Sequence, residues 1–392
     1  MYTPLDKYSA WDSSNPLYFG CSSSKLTGLR LQEMGCNKVL VVHDMGVKKA
    51  GIVEPILDTL KDKGIEYVCY DSVLPDPPDT SVEECAQMGK DANVDGILAI
   101  GGGSSMDTAK GARVLMNNES PINQYFMGPG GKPINTVGMI PIVVIPTTSG
   151  TGSEASPGAV ISDTKTGLKR AVNIGVSLGI IDPELTVGLP AGLTAATGID
   201  AFTHAAESLI TKYPNPLAGV LAKFSVAAVT KWLPVAVKDP NNLKARIELS
   251  KASSLATAGM RGPLGSLPHG FGKGMTIMYH TPHGITVGLF SAANFKKQAL
   301  FIPEQVVEVC EAMGVNVPEG ASPEQIGDLV FNAMNDLLKA VNFPTFKSVC
   351  PNKDEIYENI NKFWQGPDRF SPYQITTKEE AMEFISLAYD AY

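Results

Sequence analysis

This chain has few cysteines and no excess of basic charge, and each lack removes a class of function. Cys21, Cys36, Cys69, Cys85, Cys310 and Cys350 are the six cysteines among 392 residues, and no two form a CxxC pair. Such scatter gives neither a disulfide framework nor a thiolate metal site, and it predicts reduced thiols in a cytosolic protein. Charged residues make up 18% and the net charge is −8. The basic face that a nucleic-acid or anionic-membrane binder needs is therefore not expected, although a local basic pocket for a phosphate is not excluded. Residues 1–16 are polar and broken by proline, so no secretory leader is expected there. The apolar stretch at 138–146 is too short to span a bilayer and is punctuated by proline. A cytoplasmic protein with no nucleic-acid or membrane partner is expected.

What is present, at a length comfortable for two domains, is alternation in the first half. Short apolar runs at 39–42, 67–70, 96–100 and 142–145 read as strands. Segments of helical period at 55–63 and 82–92 separate the first three, with Lys63 and Gly64 as a helix end and turn. Buried apolar strands separated by helices predict a parallel sheet covered on both faces. Leu74 to Pro78 holds three prolines in five positions and reads as loop. From about Leu189 the stretches 216–237, 243–260 and 304–313 read as helix, with Pro190, Pro263, Pro268 and Pro282 marking boundaries. Thr377, followed by Glu379 and Glu380, reads as the start of a last helix. The fold class expected is an α/β N-terminal domain over residues 1–188 and an all-α C-terminal domain over residues 189–392.

The segment GGGSSMDTAK (residues 101–110) follows the third strand and opens a helix. Its glycines admit a diphosphate close to the backbone, and Ser104 or Ser105 is expected to cap a helix whose free N–H groups face the phosphates. It is not the GxGxxG fingerprint, so a ligand-free tight turn remains an alternative. Asp44 lies just past the first strand, where a carboxylate accepts from a ribose diol and repels a 2′-phosphate; that favours NAD over NADP. PTTSGTGSE (residues 146–154) follows the fourth strand with a dense set of hydroxyls. Three such loops at successive strand ends point to a ligand at that edge.

Of only five histidines, three join Asp200 in a second constellation: His204, His269 and His283. Asp200 and His204, four apart in a helical stretch, share one face. One carboxylate with imidazoles suits a borderline cation such as Fe²⁺ or Zn²⁺, and Glu207 is placed to orient an imidazole. His269 and His283 each sit between proline and glycine, 14 residues apart, room for a turn and a short helix to bring them together. Spacing alone leaves ordinary core or surface histidines open.

The set GGGSSMDTAK, PTTSGTGSEAS, DPELTVGLP, GIDAFTHAAES and the two PHG triplets resembles the iron-containing (group III) alcohol dehydrogenases, in order and spacing, from about Pro16 to Gly288. The resemblance implies the dehydroquinate synthase-like architecture, with a dinucleotide-binding α/β domain, a helical domain and a cleft between them. It implies a metal site of Asp200, His204, His269 and His283, holding Fe²⁺ with Zn²⁺ or another divalent cation as alternatives. It implies cofactor contacts at Gly102, Gly103, Ser104, Thr147, Thr148 and Thr151, with Asp107 in the same helix, Asp44 selecting NAD, and Lys169 as a basic group nearby. Many members carry a further histidine four residues after the third ligand; here that position is Lys273. Lys273 is read as a positive charge favouring carboxylate- or phosphate-bearing substrates, or as a solvent-facing side chain. His280, three residues before His283, is read as a substitute proton relay or a group that orients a ligand. The activity implied is reversible hydride transfer between a small alcohol and its aldehyde or ketone, in a homodimer or larger assembly. A polyol or hydroxy-acid dehydrogenase of the same superfamily, a dehydroquinate synthase-like lyase, a metallohydrolase and a non-catalytic NAD-binding protein are the alternatives.

Overall fold

A computed structural model describes residues 15–212, 214–259, 267–364, 366 and 371–391. Contacts divide the described chain into two compact units between Val187 and Gly188. The first is α/β. Its strands are β1 (Leu17–Phe19), β2 (Lys38–Val42), β3 (Glu66–Tyr70), β4 (Gly96–Gly101), β5 (Ile142–Pro146), β6 (Gly158–Asp163), β7 (Leu168–Asn173) and β8 (Leu178–Ile181). Six of them make one sheet in the order β1-β8-β5-β4-β2-β3, with every pair parallel. The helices α1 (Thr27–Glu33), α2 (Met45–Lys49), α3 (Val53–Lys61), α4 (Asp79–Asp91) and α5 (Gly103–Asn117) cover it.

The apolar runs of β2, β4 and β5 are unbroken because both faces of this sheet are buried there. Leu40, Val42, Ile97, Ala99, Ile142 and Val144 pack into one core. Their neighbours Val39, Val41, Leu98, Ile100, Val143 and Ile145 pack into the other. That is the period-two alternation of a pleated strand, apolar on each side. Sequence patterning did not reveal β1, β8 or the hairpin. β8 has four residues and β1 three. The antiparallel hairpin β6–β7 carries Lys169 and Arg170 on a half-buried strand, so it lacks an apolar run. Leu74 to Pro78 is free of helix and carries a single isolated bridge, Pro78 to Ser162.

The second unit has no strand among the described residues. Its longer helices are α6 (Ala191–Leu209), α7 (Pro216–Lys238), α8 (Leu243–Gly259), α9 (Leu267–Tyr279), α10 (His283–Ala299), α11 (Pro303–Ala312) and α12 (Pro323–Ala340). Three short ones follow, α13 (Phe346–Val349), α14 (Lys353–Glu358) and α15 (Ile360–Phe363), before α16 (Lys378–Tyr389). Thr377 caps α16 in a full capping box with Glu380. Pro190 and Pro282 are the N-cap residues of α6 and α10, whereas Pro268 is the second residue of α9. Pro263 and the end of the helix expected over 243–260 lie outside the described residues. α7 is apolar over a longer span than the 138–146 stretch, with a mean hydropathy of 1.5 and 44% of that window buried. Its Ala222, Val226, Val229 and Leu233 belong to the helical core, which accounts for the apolar composition. All six cysteines are free thiols.

Candidate active site

Two places in the fold gather the residues singled out by the sequence. In the α/β unit they lie at the carboxyl ends of β2, β4 and β5. The chain runs outward from β2 to β3 and then returns to start β4 on the other side of β2. β2 and β4 thus flank the point where strand order reverses, the usual ligand edge of an open parallel sheet. Asp44 stands past β2 and caps α2, its Oδ1 accepting from Gly46 N at 2.7 Å and Val47 N at 3.1 Å. Its Oδ2 has Ser105 Oγ at 3.5 Å, a long contact that leaves acceptor capacity.

The helix α5 starts differently from expectation. Neither Ser104 nor Ser105 caps it: Gly102 is the N-cap and no side chain bonds there. The first N–H groups of α5 therefore keep their donor capacity beside the turn, a ready anion site. Gly103 leaves no room for a side chain unless Thr151 shifts, since a Cβ there would come within 2.7 Å of Thr151 Cγ2. Thr148 Oγ1 lies 3.4 Å from the corresponding point on Gly102. Gly102, Gly103, Thr148 and Thr151 thus form one surface, with Thr147 N bonded to Gly101 O at 3.0 Å. Ser104 follows as the second residue of α5.

Asp107 and Lys169 are occupied within the protein. Asp107 Oδ1 accepts from Ser153 Oγ at 2.7 Å and Oδ2 from Val160 N at 3.0 Å. Burial pushes its carboxyl up, against the pull of Lys110 and those donors. Lys169, on β7 of the hairpin, pairs with Asp76 at 2.6 Å.

The second place is in the helical unit. α6 is rich in alanine and buried over most of its length, which brings Asp200, His204 and Glu207 inside. Asp200 Oδ1 lies 3.7 Å from His204 Nε2, 3.9 Å from His269 Nε2 and 3.8 Å from His283 Nε2. The Nε2 atoms of His204 and His269 are 3.0 Å apart, and their rings stack with centroids at 4.8 Å. One ligand atom from each of Asp200, His269 and His283 falls within a 4.8 Å span. His269 is the third residue of α9 and His283 the first of α10, so two helix beginnings meet the middle of α6. Gly284 seats α10 there: a Cβ would come within 2.2 Å of the Ala196 carbonyl oxygen.

Glu207 does what its spacing suggested, but for His269: its carboxylate accepts from Nδ1 at 2.9 Å. That bond turns the Nε2 lone pair toward Asp200. Burial pulls the His269 imidazole down, yet Glu207 and Asp200 outweigh it together and leave it raised. Lys273, one turn along α9 and exposed, opposes protonation of His269. His280 ends the helix in a left-handed conformation (φ 50°), exposed to solvent.

The donor set fits a divalent cation. Asp200 Oδ1 is buried and accepts no hydrogen bond. An orphaned carboxylate oxygen is costly inside a protein, and a metal ion is the partner that removes the cost. Ligand atoms about 2.0–2.2 Å from one ion lie roughly 3–3.6 Å apart, and the separations seen here bracket that span.

Sequence reasoning did not find Lys110, which is fully buried with four polar atoms around its Nζ. A lysine set among the small and apolar residues of α5 was the available signal.

Comparison with known proteins bears on both places. The family model described as iron-containing alcohol dehydrogenase matches residues 14–183, and its C-terminal counterpart matches residues 194–362. The chain is 30% identical over 369 residues to the choline dehydrogenase of Bacillus subtilis, covering 93% of this chain and 91% of that protein. It is 32% identical over 351 residues to the NAD-dependent methanol dehydrogenase of Bacillus methanolicus, covering 88% and 90%. The solved structure of a 1,3-propanediol oxidoreductase superposes with a TM-score of 0.89 at 28% identity, covering 97% of this chain and all (100%) of that one. The chain belongs to the iron-containing alcohol dehydrogenase family, and it is an oxidoreductase acting on CH–OH groups.

Proposed function

We propose that this dehydrogenase works with one divalent cation, Fe²⁺ first and Zn²⁺ as the alternative, held by Asp200, His204, His269 and His283. NAD is the proposed cosubstrate, carried on the edge formed by Asp44, Gly102, Gly103, Ser104, Thr147, Thr148 and Thr151. Residues 1–188 then serve as the dinucleotide-binding domain and residues 189–392 as the metal and substrate domain. The observation that carries the reading is the buried Asp200 Oδ1, without a donor and ringed by three imidazole nitrogens at 3.7–3.9 Å. When bound, the cation supplies Lewis acidity toward the alcohol oxygen and the nicotinamide supplies a hydride acceptor.

The chain's own groups do the rest. Glu207 fixes the His269 ring. The open beginning of α5 receives the diphosphate, and the second oxygen of Asp44 receives a ribose hydroxyl while repelling a 2′-phosphate. Asp107 and Lys169 act behind that edge, shaping the loop and hairpin that bear on it. His280 is the proposed proton carrier.

Lys273 favours the hydroxy-acid version of this activity over the simple-alcohol version. An ammonium one helical turn from His269, about 6 Å along the axis, attracts a substrate carboxylate or phosphate. It repels a cation such as choline, named for the Bacillus subtilis relative. Assembly as a homodimer or larger, in the cytoplasm, completes the proposal; Leu217, Val220 and Phe224 expose one apolar face of α7, which supports a covered surface. The test is kcat/KM of wild type and Lys273→Ala on neutral alcohols and on hydroxy acids. The variant is expected to lose about tenfold on the acids alone, the size of one charge-assisted contact; equal losses on both classes would overturn the substrate reading.

A further inference from the structure

Lys110 is a cation with no exposed surface, on the one helix that begins at the glycine turn. Its Nζ donates to Ser153 O at 2.6 Å, Gly158 O at 2.7 Å, Ser153 Oγ at 2.9 Å and Ser156 O at 3.3 Å. Asp107, one turn earlier on the same face of α5, takes Ser153 Oγ and Val160 N. Ser153 N in turn donates to Thr151 Oγ1 at 3.3 Å. Asn15 also holds this segment, donating to Glu154 O at 2.9 Å and Ser156 O at 3.0 Å. A single helix face therefore grips a loop whose leading residue, Thr151, packs on Gly103.

Backbone carbonyls of an irregular loop that point inward need donors, and a neutral side chain could not serve three of them. Burial pulls the Lys110 ammonium down to about 8, with Asp107 and Glu154 acting against it, so it stays largely cationic at neutral pH. A buried lysine at this place indicates a requirement for rigidity more than for bulk stability.

We infer that Lys110 is a positioning residue for the nucleotide: its ammonium is the strut that fixes the 151–158 segment against the glycine turn. Cofactor affinity depends on it although, fully enclosed, it touches no cofactor. The inference rests on the proposed dinucleotide edge. A loop freed from the strut must be ordered by the ligand, and that cost is subtracted from binding.

The experiment measures the NADH dissociation constant by nicotinamide fluorescence, with KM for NAD, kcat and metal content, in Lys110→Met, Ser153→Ala and Gly103→Val. Lys110→Met is expected to weaken NADH binding about tenfold and raise KM for NAD in step, with kcat falling less and metal content unchanged. Ser153→Ala, which removes only the hydroxyl shared by Lys110 and Asp107, is expected to move the same constants in the same direction; it decides alone if Lys110→Met does not fold. NADH affinity within threefold of wild type in the folded variant, even with a lowered Tm, overturns the strut. Gly103→Val separates the premise: if it too leaves NADH binding unchanged, the dinucleotide edge itself is wrong. If it abolishes binding while the other two do not weaken it, only the role of Lys110 is lost.

Discussion

Two carboxylates seven residues apart on α6 have different duties. Asp200 faces the three Nε2 atoms with an oxygen that nothing else satisfies, whereas Glu207 is spent on holding His269 by its other nitrogen. Replacing Glu207 by glutamine keeps the shape and removes the charge. The ring is then free to rotate and its nitrogen is a weaker donor, so metal affinity is expected to fall roughly 10–100-fold. Competitive titration with a chromogenic chelator reads this directly; an unchanged affinity would mean that His269 is oriented by packing alone. The same residue scale shows where sequence reading stops. The i, i+4 pair Asp200 and His204 is legible because a helix repeats its faces. The pairing of Glu207 with His269 spans 62 positions, and the grip of Lys110 on Gly158 spans 48. Contacts of that kind exist only after folding.

At the level of elements, β2, β4 and β5 are plain in the sequence because the middle of a parallel sheet buried on both faces demands unbroken apolar runs, while β3, at the sheet edge and half-buried, shows only the short run Tyr67 to Tyr70. β6 and β7 are not plain, since a hairpin with one open face can carry Lys169 and Arg170 and still pair. Helix beginnings are the other lesson. Serine and threonine were the expected caps, and Thr377 is one, but α5 starts on an uncapped glycine where a ligand's own oxygens can take the N–H groups. α10 is positioned by contact of another kind. With Gly284 against the Ala196 carbonyl, Gly284→Val must push the first turn of α10 away from α6 and carry His283 with it. Overpacking of this sort costs about 1–3 kcal/mol. Denaturant unfolding should show that loss, and elemental analysis should show reduced metal occupancy; a variant with full metal content would mean that α10 can shift without moving His283.

On the scale of the whole molecule, the two sets of ligand-binding groups belong to different parts of the chain: every proposed metal ligand follows Val187, and every proposed nucleotide contact precedes it. Loss of the cation therefore should not dismantle the nucleotide edge. A cation that binds only the folded state also stabilises it, by about 2.7 kcal/mol when its free concentration is a hundred times Kd. Family membership gives the class of chemistry, and the proposed role of Lys273 concerns the choice of substrate within that class.

The most direct measurement is alcohol-dependent NADH formation at 340 nm, followed as Fe²⁺ or Zn²⁺ is titrated back into chelated protein. The account predicts no turnover in the metal-free protein, undiminished NADH binding, and activity rising linearly to a break at one equivalent per chain. Full turnover without metal, or restoration that is unaffected by Asp200→Ala, would contradict it.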